Sequence, residues 1–289
     1  MPKKYLLNKL ITEIRLLLLL ARDQYRELFN TFRKRSVGDM YFIIIVGPAG
    51  SGKSTLATAL NDWISSHGMD SAIINLDPAA ENLQYTPDFD IRQYVDARDI
   101  MFKYRLGPNG ALITAVDTII NHVESVREFI ENRKANYYLI DTPGQMEIFA
   151  FRHTGPLILD EIIGDKRSVT LFLIDAALAS RPTSFASLLF LSVSTYMRIK
   201  RPQIGVLSKI DLYPEEQIER IISWIEDPYQ LLSDIREESS GLVEDIASTL
   251  IETGAQSLEL IPVSSITWKG LDELYAAIQR VVAGGEDYF

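Results

Sequence analysis

The sequence predicts an α/β fold in which a mainly parallel sheet is flanked by helices and helical insertions, and three observations predict it. Short apolar runs begin at Tyr41, Ala72, Tyr137, Val169, Ile204 and Leu258, each too short for a helix and most of them rich in β-branched residues. Helical segments separate these runs, which implies parallel strands joined by right-handed crossovers, with ligands held at the strand C-terminal ends. A glycine-rich segment links the first run to the first helix. The 289 residues are 47% hydrophobic and 24% charged, enough for one large domain that buries roughly three quarters of the unfolded surface.

The first strand spans Tyr41 to Val46, with Ile43, Ile44 and Ile45 at its centre, and reads as a buried parallel strand. It feeds Gly47-Pro48-Ala49-Gly50-Ser51-Gly52-Lys53-Ser54-Thr55, a full G-x-x-x-x-G-K-S phosphate loop. The glycines allow the backbone to wrap phosphate oxygens, and the helix starting near Lys53 turns its positive end toward the anion. Lys53 reaches the β- and γ-phosphates and the Ser54 hydroxyl takes a magnesium position. This is a P-loop NTPase arrangement. The second strand, Ala72 to Leu76, ends at Asp77-Pro78. Asp77 reads either as an N-cap, with Pro at the first helical position, or as a carboxylate serving the metal or the attacking water.

Residues 82–136 are long for a simple crossover and are expected to carry helical insertions; Gly107-Pro108-Asn109 within them reads by itself as a turn. The next strand delivers Asp141 to the sheet edge, where it can hold a magnesium-bound water. In Asp141-Thr142-Pro143-Gly144-Gln145, Gly144 can offer its N–H to the γ-phosphate, and Gln145 sits where a residue orients the attacking water. After the strand Ile204 to Leu207 comes Ser208-Lys209-Ile210-Asp211, resembling an N/T-K-x-D element. An Asp in the plane of guanine accepts from both N1–H and the exocyclic amine, whereas adenine has no such donor pair. Asp211 therefore favours GTP over ATP, with the Lys209 stem along the purine face. Strand Leu258 to Val263, followed by Ser264-Ser265, resembles a last base-contacting loop whose backbone N–H groups meet the base oxygen. The alternative is an ATP-dependent phosphotransferase or positioning ATPase on the same loop.

Taken together, Gly47 to Ser54, Asn75-Leu76-Asp77-Pro78-Ala79, Gly107-Pro108-Asn109-Gly110-Ala111, Asp141 to Glu147 and Ser208 to Asp211 resemble the GPN-loop GTPases, in particular archaeal-type members, in the family's order. The likeness runs from about Met40 to near the C-terminus. It implies a homodimeric P-loop GTPase, using Mg2+ with GTP or GDP, in which the Gly107-Pro108-Asn109 loop of one subunit reaches the nucleotide of the other. It also implies a cytoplasmic molecular switch whose eukaryotic relatives help assemble and import RNA polymerase. Related dimeric ATPases carry an early lysine in the phosphate loop; here that stretch is Pro48-Ala49, which leaves Asn109 as the candidate for contact across the interface.

Composition limits the rest. Cysteine is absent, excluding disulfides, a cysteine nucleophile and thiolate zinc sites, and His67, His122 and His153 lack ligand spacing. A net charge of −10 argues against a large nucleic-acid footprint. Residues 212–257 form a second expected helical insertion, whose acidic residues, Asp234 among them, surround Trp224, Leu231 and Leu232 and read as a solvated helix pair in preference to a docking face for a basic partner. Residues 1–39 hold nine Lys or Arg against four Asp or Glu, with apolar residues at spacings of three and four. This is an amphipathic basic helix: packed on protein, lying on a membrane surface, or upstream of a true start at Met40. The run Leu16 to Ala21 is too short to span a bilayer, and no cleavage site follows. Residues 40–283 form the GTPase domain, and 284–289 read as a flexible tail.

Overall fold

Alternate side chains of the strand Tyr41–Val46 (β1) enter different cores, and that alternation builds the molecule. Tyr41, Ile43 and Ile45 face one layer; Phe42, Ile44 and Val46 face the other. The computed structural model describes residues 40–238, 241–252 and 259–284. The chain divides into Met1–Asp39 and Met40–Phe289, and every described residue belongs to the second unit. The basic amphipathic helix expected over 1–39 lies outside the described residues, as does the tail beyond Gly284.

The sheet contains β1, β2 (Ser71–Asn75), β3 (Phe89–Asp90), β4 (Tyr137–Asp141), β5 (Ser168–Asp175), β6 (Gln203–Ser208) and β7 (Leu260–Val263). Their order is β3-β2-β4-β1-β5-β6-β7 and each neighbouring pair is parallel. β1, β2, β4 and β5 are buried along their whole length, which is why they read as unbroken apolar runs rather than alternating ones. β1 is flanked by β4 and β5, so the loops after these three strands meet at one edge.

One face is covered by α1 (Lys53–Ser66) and the helix Leu271–Val282, whose Leu56, Leu60, Ile64, Leu271, Leu274 and Ile278 complete the core of Ile43 and Ile45. The opposite face carries the remaining packed helices. Residues 82–136 contain β3, α2 (Ala97–Tyr104), α3 (Pro108–Thr118) and α4 (Val123–Arg133). After β4 come α5 (Met146–Ala150) and α6 (Thr154–Ile163), and α7 (Pro182–Ile199) follows β5. Within 212–257 lie α8 (Glu215–Glu226), α9 (Pro228–Glu238) and α10 (Leu242–Glu252); Leu271–Val282 is therefore α11.

Three expectations are corrected. The Asp77-Pro78 pair opens a turn rather than a helix, because the Asp77 carboxylate accepts from Ala79 N–H and closes the chain there. Gly107-Pro108-Asn109 is a helix start rather than a loop: extended Gly107 precedes α3, with Pro108 at its first position. Asp234 is not solvated; it accepts from the indole N–H of the buried Trp224 at 2.8 Å and from Arg220 at 3.0 Å.

Candidate nucleotide site

The phosphate loop spans the gap between β1 and α1. Gly52 precedes the helix at φ 95°, a left-handed conformation that a side chain would disfavour. Lys53 is buried, and its ammonium donates to the carbonyls of Gly47 at 2.8 Å, Pro48 at 3.0 Å and Gly144 at 3.1 Å. Burial pushes its pKa down, against the opposing charges of Asp141, Asp77 and Glu147. The Ser51 hydroxyl is buried with no hydrogen-bond partner. The loop thus holds a cation on backbone carbonyls that incoming phosphate oxygens can outbid.

Asp77 and Asp141 meet this lysine from β2 and β4. The registers of β2 with β4 and of β4 with β1 set both carboxylates at the same sheet edge. Asp77 Oδ2 accepts from Gly144 N–H at 2.9 Å and Oδ1 from Ala79 N–H at 2.9 Å. The Gly144 N–H assigned to the γ-phosphate is therefore engaged with Asp77 in this structure. Asp141 is almost fully buried, and burial pushes its carboxyl up to about 6, opposed by Ser54, Tyr85 and Lys53. Burial likewise raises Asp77. The Thr142 hydroxyl donates to Ile45 carbonyl at 2.7 Å, tying the switch loop to β1. Gln145 stands exposed immediately before α5.

The Ser208-to-Asp211 segment touches the phosphate loop directly. Ser208 Oγ donates to Ser51 carbonyl at 2.8 Å, and Lys209 Nζ donates to Gly50 carbonyl at 2.6 Å and Asp175 Oδ2 at 2.8 Å. Asp211 is exposed beside them in a short 3₁₀ turn. Val263 ends β7, and buried Ser264 follows, but the Ser264 N–H is spent on Lys269 carbonyl at 3.0 Å. Contact with the base oxygen would therefore fall to later N–H groups of that loop. Asn109 is exposed in the first turn of α3, and no hydrogen bond or ion pair among the described residues joins it to the phosphate loop.

The sequence assigns no individual role to several residues of the site. Tyr85, in the irregular stretch before β3, donates its hydroxyl to Asp141 Oδ2 at 2.8 Å. Asn75 is fully buried, donates to Asp90 Oδ1 at 2.9 Å and accepts from Asp77 N–H at 3.0 Å, so it orients the turn that carries Asp77. Arg92 grips Asp90 and donates to Ala80 carbonyl at 2.7 Å. Asp175 had one legible sign, an Asp that ends an apolar strand as Asp141 does.

The residues fit a magnesium ion carried with nucleotide. Asp141 Oδ1 is buried without a hydrogen-bond partner, next to a carboxylate-facing serine and near Asp77. A buried and a half-buried carboxylate, both with raised pKa values, are groups whose charged form a divalent cation favours. Among the described residues no group of three or more His, Cys, Asp or Glu could hold a metal, so nucleotide oxygens and water would supply the remaining ligands.

Comparison with known proteins agrees with this geometry. Residues 45–284 match the family described as "Conserved hypothetical ATP binding protein". GPN-loop GTPase 1 of Schizosaccharomyces pombe is 30% identical over 257 residues, covering 86% of this chain and 70% of that protein. GPN-loop GTPase 1 of Dictyostelium discoideum is 29% identical over 248 residues, covering 85% of this chain; the chain spans 62% of that relative's length. Among solved structures, a GTPase of Pyrococcus abyssi in its apo form superposes with a TM-score of 0.75 at 25% identity, covering 85% of this chain and 98% of the other.

Proposed function

This chain belongs to the GPN-loop GTPase family, and we propose on that premise that it is a magnesium-dependent, GTP-hydrolysing switch acting as a homodimer. One observation carries the base assignment: the tetrapeptide ending in Asp211 is fastened to the phosphate loop by Ser208 and Lys209. A nucleotide whose phosphates lie in that loop has its base beside an exposed carboxylate. Guanine satisfies that carboxylate with two N–H groups; adenine leaves it unpaired.

Chemistry then follows from the chain's own groups. Lys53 exchanges its carbonyl partners, Gly144 among them, for phosphate oxygens, and once Gly144 N–H also leaves Asp77 for the γ-phosphate the loop that carries Gln145 is free. Gln145 orients the attacking water, with Asp77, freed from Gly144, as the carboxylate beside it. Ser54 and Asp141 would hold the magnesium ion, which supplies charge neutralisation between the β- and γ-phosphates. Asn109 adds an uncharged donor from the partner subunit. The client is a protein complex such as RNA polymerase, in the cytoplasm; this part of the reading rests on family resemblance alone.

The family's description supplies the second reading, an ATP-binding protein. Competition separates the two. Labelled GDP should be displaced by GTP and GDP and not by ATP, and Asp211→Asn should shift preference toward xanthine, whose C2 carbonyl accepts from the new amide. Equal displacement by ATP would reject the guanine assignment.

A further inference from the structure

We propose that Asp175 is a positioning residue for guanine recognition, acting through Lys209; the inference rests on the guanine reading above. Asp175 closes β5 next to the phosphate loop, and its side chain is 12% exposed. Its Oδ1 accepts from Ala177 N–H at 2.8 Å, which fixes the carboxylate plane, and its Oδ2 accepts from Lys209 Nζ at 2.8 Å. The same ammonium donates to Gly50 carbonyl at 2.6 Å. Lys209 is therefore stretched between the end of one strand and the phosphate loop. A methyl group placed on Gly52 would stand 3.8 Å from Lys209 Cε, so the stem runs across the loop.

The backbone of Lys209 shows that this placement is enforced. Its φ is 63°, a left-handed conformation unfavourable for a residue with a Cβ and maintained only where the surroundings over-determine it. Ser208 supplies one neighbouring anchor through Ser51 carbonyl and Ile174 carbonyl. Asp175 supplies the charged one. A neutral carbonyl alone would hold the ammonium in one direction; the carboxylate opposite it fixes the stem as a flat platform for a purine.

Equilibrium binding of GDP to the full chain tests this, with inorganic pyrophosphate as a probe of the phosphate loop alone. Asp175→Asn keeps the acceptor for Ala177 N–H and removes the charge facing Lys209; Lys209→Met keeps the stem and removes the ammonium. Each should weaken GDP binding about tenfold, the scale of one charged hydrogen bond. The double variant should be no weaker than Lys209→Met alone, since removing the ammonium already removes its pairing with Asp175. Pyrophosphate should inhibit wild type and Asp175→Asn alike, because Asp175 touches the phosphate loop only through Lys209. Additive losses, or pyrophosphate binding that falls in step with GDP, would overturn the inference by making Asp175 a support of the phosphate loop only. Wild-type protein that binds ADP as well as GDP removes the guanine reading, and this inference with it, before any variant is made.

Discussion

Asp141 combines deep burial, an unpartnered Oδ1 and a carboxyl pushed up to about 6 from an ordinary 3.8. Between those values the folded state binds the proton and the unfolded state does not, so its contribution to stability falls as pH rises through that window and stays lost above it. At about 1.4 kcal/mol per unit this amounts to about 3 kcal/mol in the nucleotide-free protein. Asp141→Asn should therefore raise the apo unfolding midpoint at pH 8 while weakening magnesium-dependent nucleotide binding; chemical denaturation and a magnesium titration with GDP read the two effects. An apo variant less stable than wild type at pH 8 would contradict the burial argument. Lys53 and Gln145 divide differently. Lys53→Ala should abolish tight triphosphate binding, whereas Gln145→Ala should retain binding and lose roughly 10²-fold or more in kcat, because orienting water matters on the way to the transition state. Unchanged kcat in Gln145→Ala would shift the role to Asp77.

At the scale of elements, the two helices that follow β4 are locked to each other. Gly155, in the first turn of α6, sits so close to the preceding helix that an added Cβ would lie 2.0 Å from Phe149 carbonyl oxygen. Gly155→Ala should cost about 1–3 kcal/mol by overpacking, read as a lower urea midpoint, and a neutral substitution would mean that α5 can shift freely. Asp117, near the end of α3, accepts from Arg152 at 2.5 Å and from Thr154 at 2.7 Å, joining the helix that begins at Pro108 to the segment after α5. The sequence showed β1, β4 and the phosphate loop because continuous apolar runs and fixed glycine spacing are local signals. It did not show β3, whose two residues are too few for any periodicity, nor the helical start at Pro108, where the same residues suit a turn. Tyr85 was illegible for a different reason. Its contact with Asp141 joins residues 56 positions apart, through a stretch with no regular structure.

For the whole molecule, β1 and every nucleotide motif lie at or after Tyr41, so a chain lacking residues 1–39 should remain folded and bind GDP. Loss of soluble protein on truncation would instead make that segment structural. The proposed sharing of sites between two subunits has a mixing test. Lys53→Ala and Asn109→Ala proteins, each inactive, should recover up to roughly a quarter of wild-type activity when their subunits exchange, because about half the dimers are mixed and each carries one intact site. No recovery despite exchange would confine Asn109 to its own chain.

In the proposed function, the site hydrolyses guanine nucleotide because Asp211 reads the base beside a phosphate loop to which its own tetrapeptide is fastened. Steady-state release of phosphate from GTP, ATP and XTP by wild type and Asp211→Asn tests it most directly. Wild type should turn over GTP with a kcat/KM at least roughly 10³ above ATP, and Asp211→Asn should lower GTP turnover while raising XTP turnover. Equal use of ATP and GTP by wild type, or an Asp211→Asn protein with unaltered preference, would contradict it.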